Sequence, residues 1–327
     1  MKRALICGVS GQDGGYLAKL LLDKGYDVVG TSRDAEMSRF DNLCALGIRS
    51  QVLCRSMTLT DFRSVLQVLT ETCPDEIYNL AGQSSVGLSF YQPVETLESI
   101  ANGTLNLLEA VRFVKRPFRL YNAASGECFG ETSRSSPASE SSPFRPRSPY
   151  GVAKAAAFWE VGNYREAYGL YACSGILFNH ESALRPSRFV TRKIIRSACQ
   201  IAAGSEERLV LGAIDVKRDW GWAPEYVEAM WLMLQQEFAR DFVIATGATH
   251  SLREFVSSAF AAVGLDWRDH VTIDASLYRA SEIRESHADP SFAAAELGWS
   301  AHTHMIELVG KLVNEEKNRV GLVSSPP

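Results

Sequence analysis

Short apolar runs alternate with longer amphipathic stretches through the first half of the chain. Residues 3–9, 27–31, 51–54, 76–80, 118–123 and 172–177 read as strands. Between them, residues 15–24, 61–71, 94–113 and 150–168 read as helices. In the third of these, Leu97, Ile100, Ala101, Leu105, Leu108 and Val111 recur at close to the 3.6-residue helical period. Strand–helix alternation predicts an α/β fold, a doubly wound parallel sheet of Rossmann type. Ligands of such sheets bind at the carboxyl ends of the strands.

The texture changes after residue 178. A polar, loop-like stretch from Asn179 leads into a helix, followed by short strands at 209–211 and 242–245 and helices at 224–235 and 252–263. The expected organisation is a dinucleotide-binding domain over 1–178 and a smaller α/β lobe over 179–320. That lobe mainly binds substrate, and segments of it can return to the first domain. Residues 321–327 read as a loose tail.

Composition narrows the partners. The 327 residues are 46% hydrophobic and 22% charged, with a net charge of -4. No basic surface is implied, so nucleic acid is not an expected partner. No run of about 18 apolar residues is present, so no membrane span is expected. The seven cysteines are scattered and form no CxxC pair, which predicts reduced thiols, a cytoplasmic chain and no metal site.

The segment GVSGQDGG places Gly8, Gly11 and Gly14 between a strand and a helix, with Ser10, Gln12 and Asp13 among them. Glycine lets the backbone turn tightly against a pyrophosphate. The helix N-terminus adds unpaired N–H groups and a positive dipole end. A dinucleotide site is expected there. The second strand ends in Gly-Thr-Ser-Arg-Asp, and a basic residue at that tip accommodates the 2′-phosphate of NADP. Arg33 thus predicts NADP in preference to NAD, with Asp34 beside it as an opposing charge.

The stretch SPYGVAK spaces Tyr150 and Lys154 one helical turn apart on one face. A phenol with a pKa of about 10 is a poor base at neutral pH. A cation about 4 Å away is worth roughly 4 kcal/mol at an effective dielectric of about 20. That is enough to bring the phenol near 7.

With these motifs the chain resembles the extended short-chain dehydrogenase/reductases of the nucleotide-sugar-modifying branch, and within them the GDP-mannose 4,6-dehydratases. The likeness runs from about residue 3 to about residue 300. It rests on GVSGQDGGYLAKLLLDKGY, YNLAGQSSVGLSF, FRPRSPYGVAKAAAFWEVGNYREAYG, GILFNHES, FVTRKI, KRDWGWAPEYVEAMWLMLQQ and FVIATG.

Ser125 and Glu127 lie where the strand 118–123 runs out. Residues i and i+2 of a strand share a face, which predicts that both project into the pocket beside Tyr150. A simple reductase or epimerase needs only the hydroxyl and the tyrosine. Dehydration also needs a proton taken from C5 and one given to the leaving C6 hydroxyl, and one carboxyl group can do both in turn. The family carries Thr-Ser-Glu here; this chain carries Ser125-Gly126-Glu127. The resemblance therefore implies Ser125, Glu127, Tyr150 and Lys154 as the catalytic set.

The resemblance also implies that Leu80, Ala81, Gln83 and Ser84 line the cofactor and that His180 and Arg185 reach its nicotinamide or phosphate side. Ser85, Asn179, Val190, Lys193, Arg218, Arg279 and Glu282 match positions near the GDP-sugar. Lys193 and Arg218 suit a diphosphate by charge alone. Trp220, Trp222 and Trp231 read as packing residues. The implied reaction converts GDP-mannose to GDP-4-keto-6-deoxymannose by internal hydride transfer through bound NADP and loss of water. The implied assembly is a homodimer or homotetramer. The alternatives are the same chemistry on another GDP-sugar, such as a GDP-mannoheptose, and a nucleotide-sugar reductase or epimerase, against which Glu127 stands.

Three segments depart from the family pattern. Residues 32–43 lack the arginine-rich loop that binds the 2′-phosphate and joins protomers. Arg55-Ser56-Met57 replaces a Gly-Asp pair at the adenine. Residues 282–288, EIRESHA, replace Glu-Val-Asp-Leu-Leu-Gly beside the sugar.

Overall fold

Seven strands carry the main sheet of the computed structural model, which describes residues 1–320; the tail expected at 321–327 lies outside the described residues. They are β1 (Arg3–Cys7), β2 (Asp27–Ser32), β3 (Leu53–Ser56), β4 (Glu76–Asn79), β5 (Arg119–Ser125), β6 (Tyr171–Leu177) and β10 (Phe242–Ile244). All pair in parallel, in the order β10-β6-β5-β4-β1-β2-β3. The inner strands are buried along nearly their whole length, six of seven residues in β6. Helices on both faces are the reason, and continuous apolar runs are the sequence trace of it.

Helix α1 (Gln12–Asp23) packs one face against α9 (Ala223–Gln235), joining Leu17, Ala18 and Leu21 to Val227, Met230 and Met233. α2 (Asp41–Ala45) buries Leu43 in that same core. On the other face lie α3 (Phe62–Thr72), α6 (Gly103–Val114) and α7 (Pro149–Tyr168). The helix expected at 94–113 forms, but not as one regular cylinder. After the short α4 (Val86–Ser89), α5 (Pro93–Leu97) runs through a π turn at Glu98–Asn102 into α6. The wider turn seats Ile100 under Gly82, where a Cβ would come within 2.9 Å of the isoleucine side chain.

The chain leaves the main sheet at Phe178 and builds the second lobe. β7 (Asn179–Glu181), β9 (Lys217–Trp222) and β11 (Thr249–Ser251) form one small sheet, and β8 (Leu209–Leu211) pairs with β12 (Val271–Ile273). α8 (Val190–Ala202), α10 (Leu252–Ala261) and α12 (Met305–Val320) share an apolar core there; it includes Ile194, Ile195, Phe255, Phe260, Leu308 and Leu312. α11 (Ser291–Leu297) packs back on β10. The lobe is not one continuous segment. α9 and β10 return to the main sheet, with Val243 beside Ile176. The sheet order reverses between β1 and β4, so the glycine-rich loop after β1 stands at the topological switch point. No helix among the described residues is long and apolar enough to cross a membrane.

Candidate functional site at the carboxyl edge of the sheet

The glycine-rich loop closes tightly on itself. Gly8, at φ +84, and Val9 both donate backbone N–H groups to the Thr31 carbonyl. A Cβ on Gly14 would fall 2.5 Å from the Gly8 oxygen and 2.6 Å from Val9 Cα, so α1 lies directly on the loop. Gly11 is the N-cap, no side chain caps it, and a Cβ there would meet only one atom within 4 Å. An uncapped helix end with an open glycine face fits a pyrophosphate. Asp13, in the first turn, faces His180 across 3.0 Å, and His180 Nδ1 approaches the Phe178 carbonyl at 2.8 Å. Burial alone would raise Asp13, but the imidazole holds it down to about 2. The same pairing lifts His180 above its ordinary value against its own burial.

Arg33 stands at the end of β2 with its side chain 84% exposed and one nitrogen 3.7 Å from Glu95. The Asp34 carboxylate accepts the backbone N–H groups of Glu36 and Met37, closing its own turn. The opposing charge expected there is therefore occupied locally. The Gln83 amide bonds the backbone of Ser85 and the Thr96 hydroxyl, so it braces the loop after β4. Leu80 and Ser84 line the cavity described next.

A cavity of about 370 Å³ opens at the carboxyl ends of β4, β5 and β6 and is closed by the second lobe. Ser125, Glu127, Tyr150 and Lys154 all line it, with Asn179, Val190, Arg218, Arg279 and Glu282 on the lobe side. β5 runs two residues further than expected, and Ser125 is its last residue. Glu127 is not on the strand. Gly126–Cys128 form a 3-10 turn whose Glu127 N–H donates to Ser125 Oγ at 3.3 Å. The turn, rather than strand alternation, brings hydroxyl and carboxylate to one cavity.

α7 begins at the same place. The Ser148 hydroxyl caps it by accepting the Gly151 N–H at 3.0 Å. A Cβ on Gly151 would come 2.9 Å from the Glu127 carbonyl oxygen, so the helix meets the turn backbone to backbone. Lys154 Nζ then reaches β5 and donates to the Ala123 carbonyl at 2.7 Å.

This geometry corrects the expected acidity of Tyr150. The ammonium is 5.9 Å from the phenol ring centre and is held by a carbonyl. Burial pushes the Tyr150 phenol up, and the Ser125 hydroxyl draws it part of the way back. Burial also lowers Lys154 to about 8. Glu127 rises above the ordinary glutamate value of 4.5 through burial and the neighbouring Glu282, while Arg218 and Arg279 pull it down. Those arginines are themselves bridged by Glu282, at 2.9 Å to Arg218 and 3.1 Å to Arg279.

Lys193 is not brought into the cavity. Its ammonium donates to the Val210 carbonyl at 2.6 Å and is exposed on α8. Trp220 is packed on Phe255, yet it also lines the cavity. A wider groove of about 1310 Å³ runs between residues 37–46 and the end of α12. It holds Ser10 and Arg185 but none of Ser125, Glu127, Tyr150 and Lys154.

The family model described as GDP-mannose 4,6 dehydratase matches residues 5–312. The chain belongs to the GDP-mannose 4,6-dehydratase family. GDP-mannose 4,6 dehydratase 1 of Arabidopsis thaliana is 45% identical over 325 residues, covering 96% of this chain and 90% of that protein. The Homo sapiens GDP-mannose 4,6 dehydratase is 42% identical, covering 96% and 91%. Among solved structures, a Thermus thermophilus UDP-glucose 4-epimerase in complex with NAD superposes with a TM-score of 0.85 at 25% identity, covering 96% of this chain and 99% of that one. A Streptomyces venezuelae dTDP-glucose 4,6-dehydratase reaches 0.87 at 20% identity, covering 98% of both chains, a likeness of fold.

In this member of the family, sequence reasoning left out Glu181, Thr191 and Ser286, all on the cavity wall. It named Asp13 and His180 separately but not as a pair. Gly126 has a packing role. A Cβ there would fall 3.0–3.1 Å from three atoms of the Phe178 ring. Gly126→Ser, which restores the family's residue, is expected to destabilise the protein by about 1–3 kcal/mol through overpacking. Urea denaturation measures this, and a variant as stable as wild type would show that the ring yields freely.

Proposed function

We propose that this chain removes water from GDP-mannose to give GDP-4-keto-6-deoxymannose, using a bound NADP. The observation that carries the reading is the turn Gly126–Cys128, which brings Glu127 into the cavity that Ser125 and Tyr150 also line. A bound nicotinamide would supply the chemistry of hydride removal at C4 and return at C6. Gly8, Gly11 and Gly14 with the open end of α1 would hold its pyrophosphate, and Arg33 its 2′-phosphate.

The residues divide the remaining work. Tyr150 takes the proton of the C4 hydroxyl, and Ser125 Oγ donates a hydrogen bond to the oxygen left there. Lys154, protonated, supplies the positive charge that favours the tyrosinate once the phenol has a partner. Glu127 takes the C5 proton, made acidic by the adjacent carbonyl, and gives a proton to the C6 hydroxyl as the C6–O bond breaks and water leaves. Burial favours its protonated form, which suits a group that must carry a proton between two atoms. Arg218 and Arg279 on the lobe side of the cavity suit the diphosphate.

A second reading keeps the chemistry and changes the sugar to another GDP-sugar such as a GDP-mannoheptose. It is favoured by the departure at residues 282–288, which includes Ser286 on the cavity wall. Incubation with each GDP-sugar separates the two readings. The partner of the protein surface is a second copy of the chain. The neighbouring α5 and α7 expose Val94 at 68%, Leu97 at 43%, Val152 at 49% and Trp159 at 64%. An apolar face of this kind marks an interaction surface.

Purified protein given GDP-mannose is expected to yield a product lighter by one water in a mass spectrum. Glu127→Gln is expected to lower that rate by about 10²-fold or more while binding NADP⁺ like wild type. Full turnover in the variant would remove Glu127 from the chemistry. The rate is also expected to fall on acidification with an inflection above 4.5, because protonation of Glu127 at its raised pKa removes the base. An acid limb at or below 4.5 would contradict that assignment. Sedimentation equilibrium is expected to give at least twice the chain mass of 36.0 kDa, and Leu97→Arg with Trp159→Glu is expected to give the single chain. A wild-type monomer would exclude the proposed interface.

A further inference from the structure

Glu181 closes β7 as the cross-strand neighbour of Trp222, and its side chain is 3% exposed. One of its carboxylate oxygens serves two elements at once. Oε2 accepts the Thr191 hydroxyl at 2.7 Å, in the first turn of α8, and lies 3.0 Å from Arg185 Nε, an ion pair whose N–H is not aligned for a hydrogen bond. Arg185 is gripped on two further sides: its Nη1 donates to the His180 carbonyl at 3.2 Å, and its guanidinium lies 4.0 Å from the Phe189 ring centre.

A buried carboxylate needs a partner, and breaking such a pair is strongly destabilising. That alone would make Glu181 structural. Its position argues for more. Arg185 lines the cavity, and its charge reaches the Tyr150 phenol, Asp13 and His180. Left free, an arginine side chain samples many rotamers, and ordering it at the moment of binding weakens affinity.

We propose that Glu181 is a positioning residue: it fixes the Arg185 guanidinium against the His180 carbonyl on the cavity wall that Asp13 and Tyr150 share, while Thr191 fixes Glu181 from α8. The arginine then meets an anionic dinucleotide without reordering. The same carboxylate ties the dinucleotide side of the cavity to the helix that begins at Val190 on the sugar side. This inference rests on the reading that the cavity binds a nicotinamide dinucleotide.

Equilibrium binding of NADP⁺ and of NAD⁺, followed by fluorescence, tests it without turnover. E181Q is expected to bind NADP⁺ about tenfold more weakly than wild type. R185Q is expected to lose at least as much, and E181Q added to R185Q is expected to lose nothing further, because the carboxylate acts through the arginine. E181D, which keeps the charge, is expected to recover part of the loss. If E181Q does not fold, Thr191→Val gives the same comparison with every charge in place: a severalfold loss in the wild-type background and none with R185Q. Wild-type affinity in E181Q, or losses that add in the double variant, would overturn the role of Glu181. A wild-type protein that binds neither NADP⁺ nor NAD⁺ would overturn the cofactor reading instead.

Discussion

Helix α7 meets the turn after β5 backbone to backbone, and the candidate site depends on that approach. Gly151 brings the helix against the Glu127 carbonyl, the Ser148 cap fixes where the helix starts, and Lys154 reaches back to the Ala123 carbonyl. The contacts at Gly151 and Lys154 hold the helix against the strand and turn between Ala123 and Glu127. Tyr150, in the first turn of that helix, is thereby placed beside Ser125. A side chain at position 151 would lift the helix from the turn and separate the hydroxyls from the carboxylate. Geometry of this tightness is what preorganisation for proton transfer requires.

The acidities follow from the same closeness. Tyr150, Lys154 and Glu127 are all shifted towards their neutral forms by burial. The charges that oppose burial at Glu127 come from the other lobe, from Arg218 on β9 and from Arg279. The carboxylate sits on the turn after β5, and the charges that temper the effect of its burial act from across the cavity. Glu282 bridges both arginines and so moderates how strongly they act. A diphosphate drawn to those arginines would change the field at Glu127 as well as its own binding.

Much of this was legible in the sequence, for identifiable reasons. Parallel strands buried on both faces leave short apolar runs, and such runs mark the positions of the first six strands along the chain. Gly8, Gly11 and Gly14 are readable because their lack of a side chain is itself the signal. Direction is not readable. Lys193 is a basic residue in the right segment, yet α8 turns it towards Val210. The Asp13–His180 contact joins residues 167 apart, and Glu181 gains its two partners only when β7 and α8 are placed. Spacing within SPYGVAK correctly puts Tyr150 and Lys154 on one face, but the effect of the lysine depends on burial and on the Ala123 carbonyl. Neither leaves a trace in a local pattern.

Gly126 shows how a local departure is answered by packing far along the chain. Phe178 is the residue at which the chain leaves β6 for the second lobe, and it bonds the Ile244 carbonyl as it does so. Its ring stacks on Phe129 at 6.2 Å and lies over the face that Gly126 leaves open. The turn that presents Glu127 and the crossover that carries His180 and Glu181 into the second lobe are thus in direct contact. A residue with a Cβ at position 126 presses on that crossover, and with it on the start of β7. The distance between the carboxylate and the lobe that tunes it therefore depends in part on a side chain that is absent.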